Sequence, residues 1–338
     1  MTDTSSTRAI ATRSTGSARA WAPTVGFIAR RIGGLAATML LASFVVFGAL
    51  YIAPGSPISF LTQGRSVTPE AIAQLEAQYH LDEPFFAQYF RWLGGVLTGD
   101  FGHSIIFNDS VSSLLGQRVG NTALLLLVAT VLVLALGLAV GLFAGLKPGV
   151  LSESVIALAT AIMAVPGFVA AVVFMLVFSV QLGWFPSFGA GAAGWDAIYH
   201  MLLPAAALSV ASIAFVARLT QNAIRSELKS DHVQTAVSRG LPYRFIVRRH
   251  VVRNAAMPVL TVAGLTIAGL IAGSVVIEQI FQLGGLGQFL VDSVQKKDFP
   301  VVQAICLIYV AAFIVLNTLI DLAYALLDPR ISLGKKAS

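Results

Sequence analysis

Six stretches of this chain run for about 20 residues or more with almost no charge: residues 32–52, 122–146, 155–182, 201–219, 259–280 and 301–327. An α-helix rises about 1.5 Å per residue, so such a run crosses the roughly 30 Å hydrocarbon core of a bilayer. In lipid every backbone N–H and C=O must find a partner within the protein, which leaves helices and closed barrels, and runs of this length read as helices. The expected fold is an all-α polytopic membrane protein with six transmembrane helices. Composition agrees: of 338 residues, 57% are hydrophobic and 11% charged, against about 25% charged in soluble domains. The first run is too long for the apolar core of a signal peptide, which spans about 7–15 residues. It ends in APGSP without a small-residue cleavage pattern, so it reads as an uncleaved span. Residues 1–27 form a tail, rich in Ser, Thr, Ala and Arg and without apolar periodicity up to residue 24; it reads as disordered.

Orientation follows from Lys and Arg, which concentrate on the cytoplasmic side. Arg30 and Arg31 precede the first span, and Lys147 separates the second from the third. Arg218, at the end of the fourth span, and Arg225, Lys229, Arg239, Arg244, Arg248, Arg249 and Arg253, between the fourth and fifth, lie on the same side, and Arg330, Lys335 and Lys336 follow the sixth. With six spans these segments share one side, which places both termini in the cytoplasm. Residues 53–117 then face outward; there Glu70, Glu76, Asp82, Glu83, Asp100 and Asp109 outnumber Arg65 and Arg91. The net charge of +6 thus reports topology. The basic residues are not interleaved with stacking aromatics, as a nucleic-acid surface would require.

Within the spans, Gly137, Gly141 and Gly145 recur every four residues on one helix face. That spacing lets backbones approach closely in lipid. Pro166, followed by Gly167, sits in the middle of the third run and predicts a kink. Two acids lie inside spans, where they must face protein or water. Glu278 stands near the outer end of the fifth. Asp321 lies in the sixth, four residues after Asn317. Both are candidates for the translocation path, with a structural hydrogen bond as the alternative for each.

Residues 221–258 are the long charged stretch on the cytoplasmic side. They read as two short helices, the first stopping at Gly240 and the second starting near Pro242. The result is an elbow with apolar knobs and a basic rim: either an anchor on anionic lipid or a docking surface for a cytoplasmic partner. Small Ala236 and Gly240 favour docking. Catalytic chemistry finds no foothold. The sequence has no GxxxxGK[ST] phosphate loop, GxSxG elbow or HExxH helix, and Cys306 is its one cysteine. His80, His103, His200, His232 and His250 are scattered, so neither a metal site nor a catalytic residue is expected.

The segment HVQTAVSRGLPYRFIVRRHVVRNAAMP (residues 232–258) resembles the cytoplasmic EAA loop of ABC importer permeases. Its TAVSRG and RHVVRNAAMP strings match the dipeptide/oligopeptide permease B family (DppB/OppB-like). PGSP after the first span, LDEPFFAQYFRWLGGVLTGDFGHS, GWFPSFG, HMLLPA and YALLDPR fit the same family in the same order. The resemblance covers residues 28–330. It implies a type I importer permease with an extracytoplasmic segment after the first helix (53–117), a membrane core (118–330) and a cytoplasmic tail (331–338). It implies a coupling role for Thr235, Ala236, Gly240, Leu241, Phe245, Arg248 and His250. It also implies a second homologous permease, two ATP-binding-cassette ATPases that hold ATP and Mg, an extracytoplasmic peptide-binding protein and a bacterial inner-membrane location. This chain itself is expected to hold no cofactor. The sequence departs from the pattern at Ser56, where the family has an acid, at Gln234-Thr235, and at Gly284–Gly287, where GGLG replaces PGLG and suggests a more flexible outer loop. A secondary transporter or channel, working without ATPases, is the competing class; it would call for an inverted repeat.

Overall fold

The computed structural model describes residues 22–52, 68–70, 82–104 and 106–327. The tails at 1–21 and 328–338, and the PGSP string, lie outside them. Among the described residues the regular secondary structure is helical, apart from one isolated bridge, His103 to Ser110. We number the helices α1 (Ala22–Ile52), α2 (Phe85–Leu97), α3 (Val111–Leu146), α4 (Val150–Met163) and α5 (Gly167–Phe174), the last prolonged by a π-helical segment, Met175–Gln181. Next come α6 (Trp195–Leu228), α7 (Asp231–Ser238) and α8 (Tyr243–Ile246), which runs through a second π segment, Val247–Val251, into α9 (Val252–Phe281). The chain closes with α10 (Leu286–Gln295) and α11 (Phe299–Leu327).

Among the described residues, four helices are long and apolar enough to cross a membrane: Val111–Leu146, Trp195–Leu228, Tyr243–Phe281 and Phe299–Ile320. A fifth crossing exists if α4 and the α5 unit form one span. These two meet at 104°, where the sequence predicts only a kink. Val165 N–H closes the last turn of α4 onto Ile162, and Pro166 then takes φ −59°, ψ 139°. Proline offers no N–H to continue the ladder, and its ring disfavours helical geometry at the residue before it. The run therefore breaks outright and restarts at Gly167. In α1 the apolar stretch Gly33–Ala49 is shorter.

The centre of the bundle is the seam between α3 and α6. A methyl group built on Gly137 would lie 3.0 Å from Val216 Cβ, one on Gly141 2.4 Å from Thr220 Cβ, and one on Gly145 2.7 Å from Ile224 Cβ. Val216, Thr220 and Ile224 repeat at the same four-residue interval, so three glycines accept three side chains along two touching helices. Helix α9 packs across this pair and adds Ala263, Leu270, Ile277 and Phe281 to its core. The bundle has two dissimilar ends. At one, called here the cap, α10 and the loop before α3 fold over the starts of α3 and α11. At the other, α7 joins α6 to α8 and forms the elbow.

Candidate functional site

The elbow is narrower than the charge pattern suggests. Residues 221–228 still belong to α6, and 243–258 already belong to the continuous α8–α9 helix. What turns the chain is α7 and its ending. Gly240 N–H donates to Val237 O (2.9 Å) and Leu241 N–H to Ala236 O (3.3 Å), the paired bonds of a Schellman termination. Gly240 takes φ +71°, and a Cβ there would meet nothing within 4 Å. Glycine is needed there for its left-handed backbone. Ala236 faces the bundle instead. It is buried with Ile224, Val233, Ile246, Val251 and Ala255 in a core that fixes the elbow to α6 and α9.

A polar clasp reinforces that core. The Glu227 carboxylate accepts from Asn254 Nδ2 at 2.8 Å and lies 2.9 Å from His232 Nε2, joining the end of α6, the start of α7 and the start of α9. Thr235 is exposed and returns its hydroxyl to Asp231 O at 2.8 Å, an intrahelical bond. Phe245 packs edge-on against His250, ring centroids 5.9 Å apart. The outward face carries exposed Val237, Leu241, Tyr243 and Phe245, with Arg239, Arg244, Arg248 and Arg249 exposed around them. Contiguous apolar side chains rimmed by charge mark a surface that binds something.

The cap is built differently. Glu278, near the end of α9, is fully buried. One carboxyl oxygen accepts from Thr122 Oγ1 at 2.7 Å, and the other from Gly287 N–H at 2.8 Å and Gln288 N–H at 3.2 Å. Thr122 in turn accepts from Leu286 N–H at 2.8 Å. The first free N–H groups of α10 are thus capped by side chains from α9 and α3, as a helix start requires. A Cβ on Gly285 would fall 2.4 Å from Glu278 Oε2, so only glycine fits against the cap. Gly284 sits at φ +62°, a conformation closed to proline; the GGLG departure is therefore tied to a turn that PGLG could not make in this form. Asn121 Nδ2 adds a bond to Leu283 O at 2.8 Å.

A second anchor holds the cap from the other side. Asp298, just before α11, is buried and accepts a hydrogen bond from Ser104 Oγ. Ser104 also accepts Phe107 N–H at 3.0 Å, which fixes the loop ahead of α3. Phe107 packs on Phe289 of α10 at 5.3 Å, and the Arg118 guanidinium lies 4.1 Å over the Phe289 ring. Burial pushes the Asp298 carboxyl above the usual carboxylate range, against the Ser104 hydrogen bond.

The structure groups most of the residues singled out in the sequence into three places, leaving Pro166 and Asp321 apart. Thr235, Ala236, Gly240, Leu241, Phe245, Arg248 and His250 cluster in the elbow. Gly137, Gly141 and Gly145 line the α3–α6 seam, and Glu278 belongs to the cap. Pro166 stands at the break. Asp321 lies on α11, with its side chain outside the described residues. Sequence reasoning missed Thr122, Asn121, Ser104, Asp298, Glu227, His232 and Asn254. For Asn121 and Thr122 a signal existed: two polar residues open the second apolar run at the end where Glu278 closes the fifth. Among the described residues no group of His, Cys, Asp and Glu is arranged to hold a metal ion.

Comparison with known proteins agrees with this architecture. Residues 137–333 match the family described as "Binding-protein-dependent transport system inner membrane component", and residues 24–139 match its N-terminal companion. The dipeptide transport system permease protein DppB of Bacillus subtilis is 38% identical over 92% of this chain and 99% of its own length. The oligopeptide transport system permease protein AppB of the same organism is 36% identical over 86% and 92%. The glutathione transport system permease protein GsiC of Salmonella paratyphi A is 33% identical over 91% and 99%. Among solved structures, an inward-facing MetNI methionine ABC transporter superposes with a TM-score of 0.54 at 20% identity, covering 64% of this chain and 96% of that one; this likeness speaks for the fold. With both parts of the family description matched in order across nearly the whole chain, the protein belongs to the inner-membrane permease family of binding-protein-dependent transport systems.

Proposed function

We propose that this chain forms half of the membrane path of a peptide importer, and that its elbow transmits the work of cytoplasmic ATPases to that path. The elbow carries the reading: a rigid turn displays Val237, Leu241, Tyr243 and Phe245 to solvent inside a ring of arginines. A lipid anchor would immerse that face; a docking lever presents it to a groove. Gly240 fixes the turn, Ala236 ties it to the core, Phe245, Leu241 and Arg248 meet the partner, and His250 supports Phe245. Thr235 lies on the same exposed helix. Two ATPase subunits supply ATP and Mg, a second permease of the same family completes the pore, and an extracytoplasmic binding protein docks on residues 53–117. The elbow end then faces the cytoplasm. Counting α1 and the bent α4–α5 pair gives six spans, with both termini cytoplasmic, in a bacterial inner membrane. Closure of the ATPases rocks the helices as a rigid body between inward and outward access. Peptides are the substrate class carried by the names of two full-length relatives, the dipeptide and oligopeptide permeases.

Reconstitution tests this reading. Proteoliposomes holding both permeases, the ATPases and the loaded binding protein are expected to accumulate radiolabelled alanine peptides with ATP and not without it. Equal accumulation without ATP would turn the assignment to a secondary transporter.

A further inference from the structure

A cavity of about 150 Å³ opens beside α6, lined by Met163, Phe215, Arg218, Leu219 and Asn222. Its position is fixed by both helices. Arg218 lies ten residues before the end of α6, about 15 Å along the helix. Met163 ends α4 just below the Pro166 break, about 20 Å from that helix's start. The cavity thus sits toward the elbow end of the membrane-length part of the bundle, where an arginine within the helix must face water or a partner. Other cations in the long helices reach protein: Arg118 donates to Leu114 O at 2.7 Å, and Arg225 to Ala144 O at 3.4 Å. Among the described residues, the Arg218 guanidinium and the Asn222 amide have no hydrogen bond or ion pair. They lie one turn apart on the side of α6 turned away from Val216, Thr220 and Ile224, the residues of the glycine seam.

We propose that Arg218 and Asn222 form a station for the C-terminal carboxylate of a peptide in transit, with Phe215 and Met163 receiving the adjoining side chain. The proposal rests on the peptide-import reading above. A guanidinium fork with an amide donor one turn away matches a carboxylate, which accepts two parallel N–H bonds. Every unmodified linear peptide carries that group, whatever its side chains. A path that holds the shared terminus and meets the variable part with a flexible thioether and a ring tolerates many sequences. A single cation in an open cavity also binds weakly enough to release, which passage requires.

The test uses di-, tri- and pentaalanine, each as free acid and as C-terminal amide. Uptake by the complete importer is measured in proteoliposomes, and direct binding is measured on the solubilised permease–ATPase complex without binding protein. If the wild type takes up none of the free acids with ATP, the import reading falls and the station with it. If it does, Arg218→Gln is expected to lower free-acid binding and uptake about tenfold to a hundredfold and to leave amide binding unchanged. Arg218→Lys should retain most free-acid uptake. Equal loss for acid and amide, as a pairing of Arg218 with the second permease would give, overturns the station; so does unchanged free-acid binding. Should Arg218→Gln fail to assemble, Asn222→Asp decides instead. It should repel the free acid selectively, and an equal effect on both forms overturns the proposal.

Discussion

Glu278 at the cap is wholly buried and accepts three hydrogen bonds, whereas Phe245 at the elbow is 47% exposed and leans on one histidine ring. The contrast extends to their neighbours. The cap turns its acids inward: Glu278 and Asp298 bind α10 and the loop before α3 to the ends of α9 and α11. The elbow turns its apolar side chains outward and keeps its polar clasp, Glu227 with His232 and Asn254, along one side. A buried carboxyl held by three donors is costly to disturb, because no water replaces a lost partner. An exposed apolar knob costs little to alter in the isolated chain and much when its partner is bound. One end is built to keep its own shape, and the other, as we propose, to be completed by another protein.

The sharpest way to break that contrast is at the cap. Glu278→Leu leaves the Gly287 and Gln288 N–H groups and the Thr122 hydroxyl without an acceptor, at about 1–3 kcal/mol each. The expected outcome is loss of folded protein after detergent extraction, read by thermal unfolding. Glu278→Gln should cost far less, because the Thr122 hydroxyl can turn to accept from the new amide. If the leucine variant melts with the wild type, the cap is not held by Glu278. Next in size is the seam on which both ends depend. Gly141→Ala puts a methyl 2.4 Å from Thr220 Cβ and 2.6 Å from Ala217 O; overpacking of this kind costs about 1–3 kcal/mol, again read as a lowered unfolding midpoint.

At the elbow the expectation reverses, with a small effect on folding and a large one on work. Gly240→Asp strains a left-handed turn by about 1–2 kcal/mol and sets a carboxylate on the exposed tip of the elbow. Insertion and unfolding should stay near wild type, while ATP-driven uptake and co-purification of the ATPases are lost. Normal uptake would remove the elbow from the coupling route.

How much of this was legible in the sequence depends on the range of the contact. The apolar runs, the glycine interval and the Gly240–Pro242 stop are local patterns, and each is read from neighbours on one helix. The extent of the elbow is less so: charge marks residues 221–258, but helices tolerate charge once clear of lipid, so α6 and α8–α9 run into that stretch. Pro166 announces a disturbance, yet no local pattern announces its 104° size. The cap was hidden almost entirely. Thr122 and Glu278 are 156 residues apart and Ser104 and Asp298 are 194 apart, and no local period links such partners. A lone buried acid announces only that it needs a partner; the fold supplies the partner's name.

The smallest prediction sharpens the cap itself. Burial raises the Asp298 carboxyl above its usual value of 3.8, so between that value and the raised one the folded protein holds a proton there that the unfolded chain releases. Stability falls with rising pH wherever the folded state binds more protons. The Asp298 contribution is therefore complete below the usual carboxylate value and is lost as pH rises through the raised one. The amide introduced by Asp298→Asn carries no titrating proton, and its side-chain carbonyl can still accept from Ser104. Unfolding midpoints of wild type and Asp298→Asn, measured between about pH 4 and pH 8, should diverge as pH rises, the variant holding its midpoint better toward neutrality. Parallel curves would mean that Asp298 titrates as if in water. The second cap anchor would then be an open surface contact, and the cap a joint resting on Glu278 and Thr122 alone.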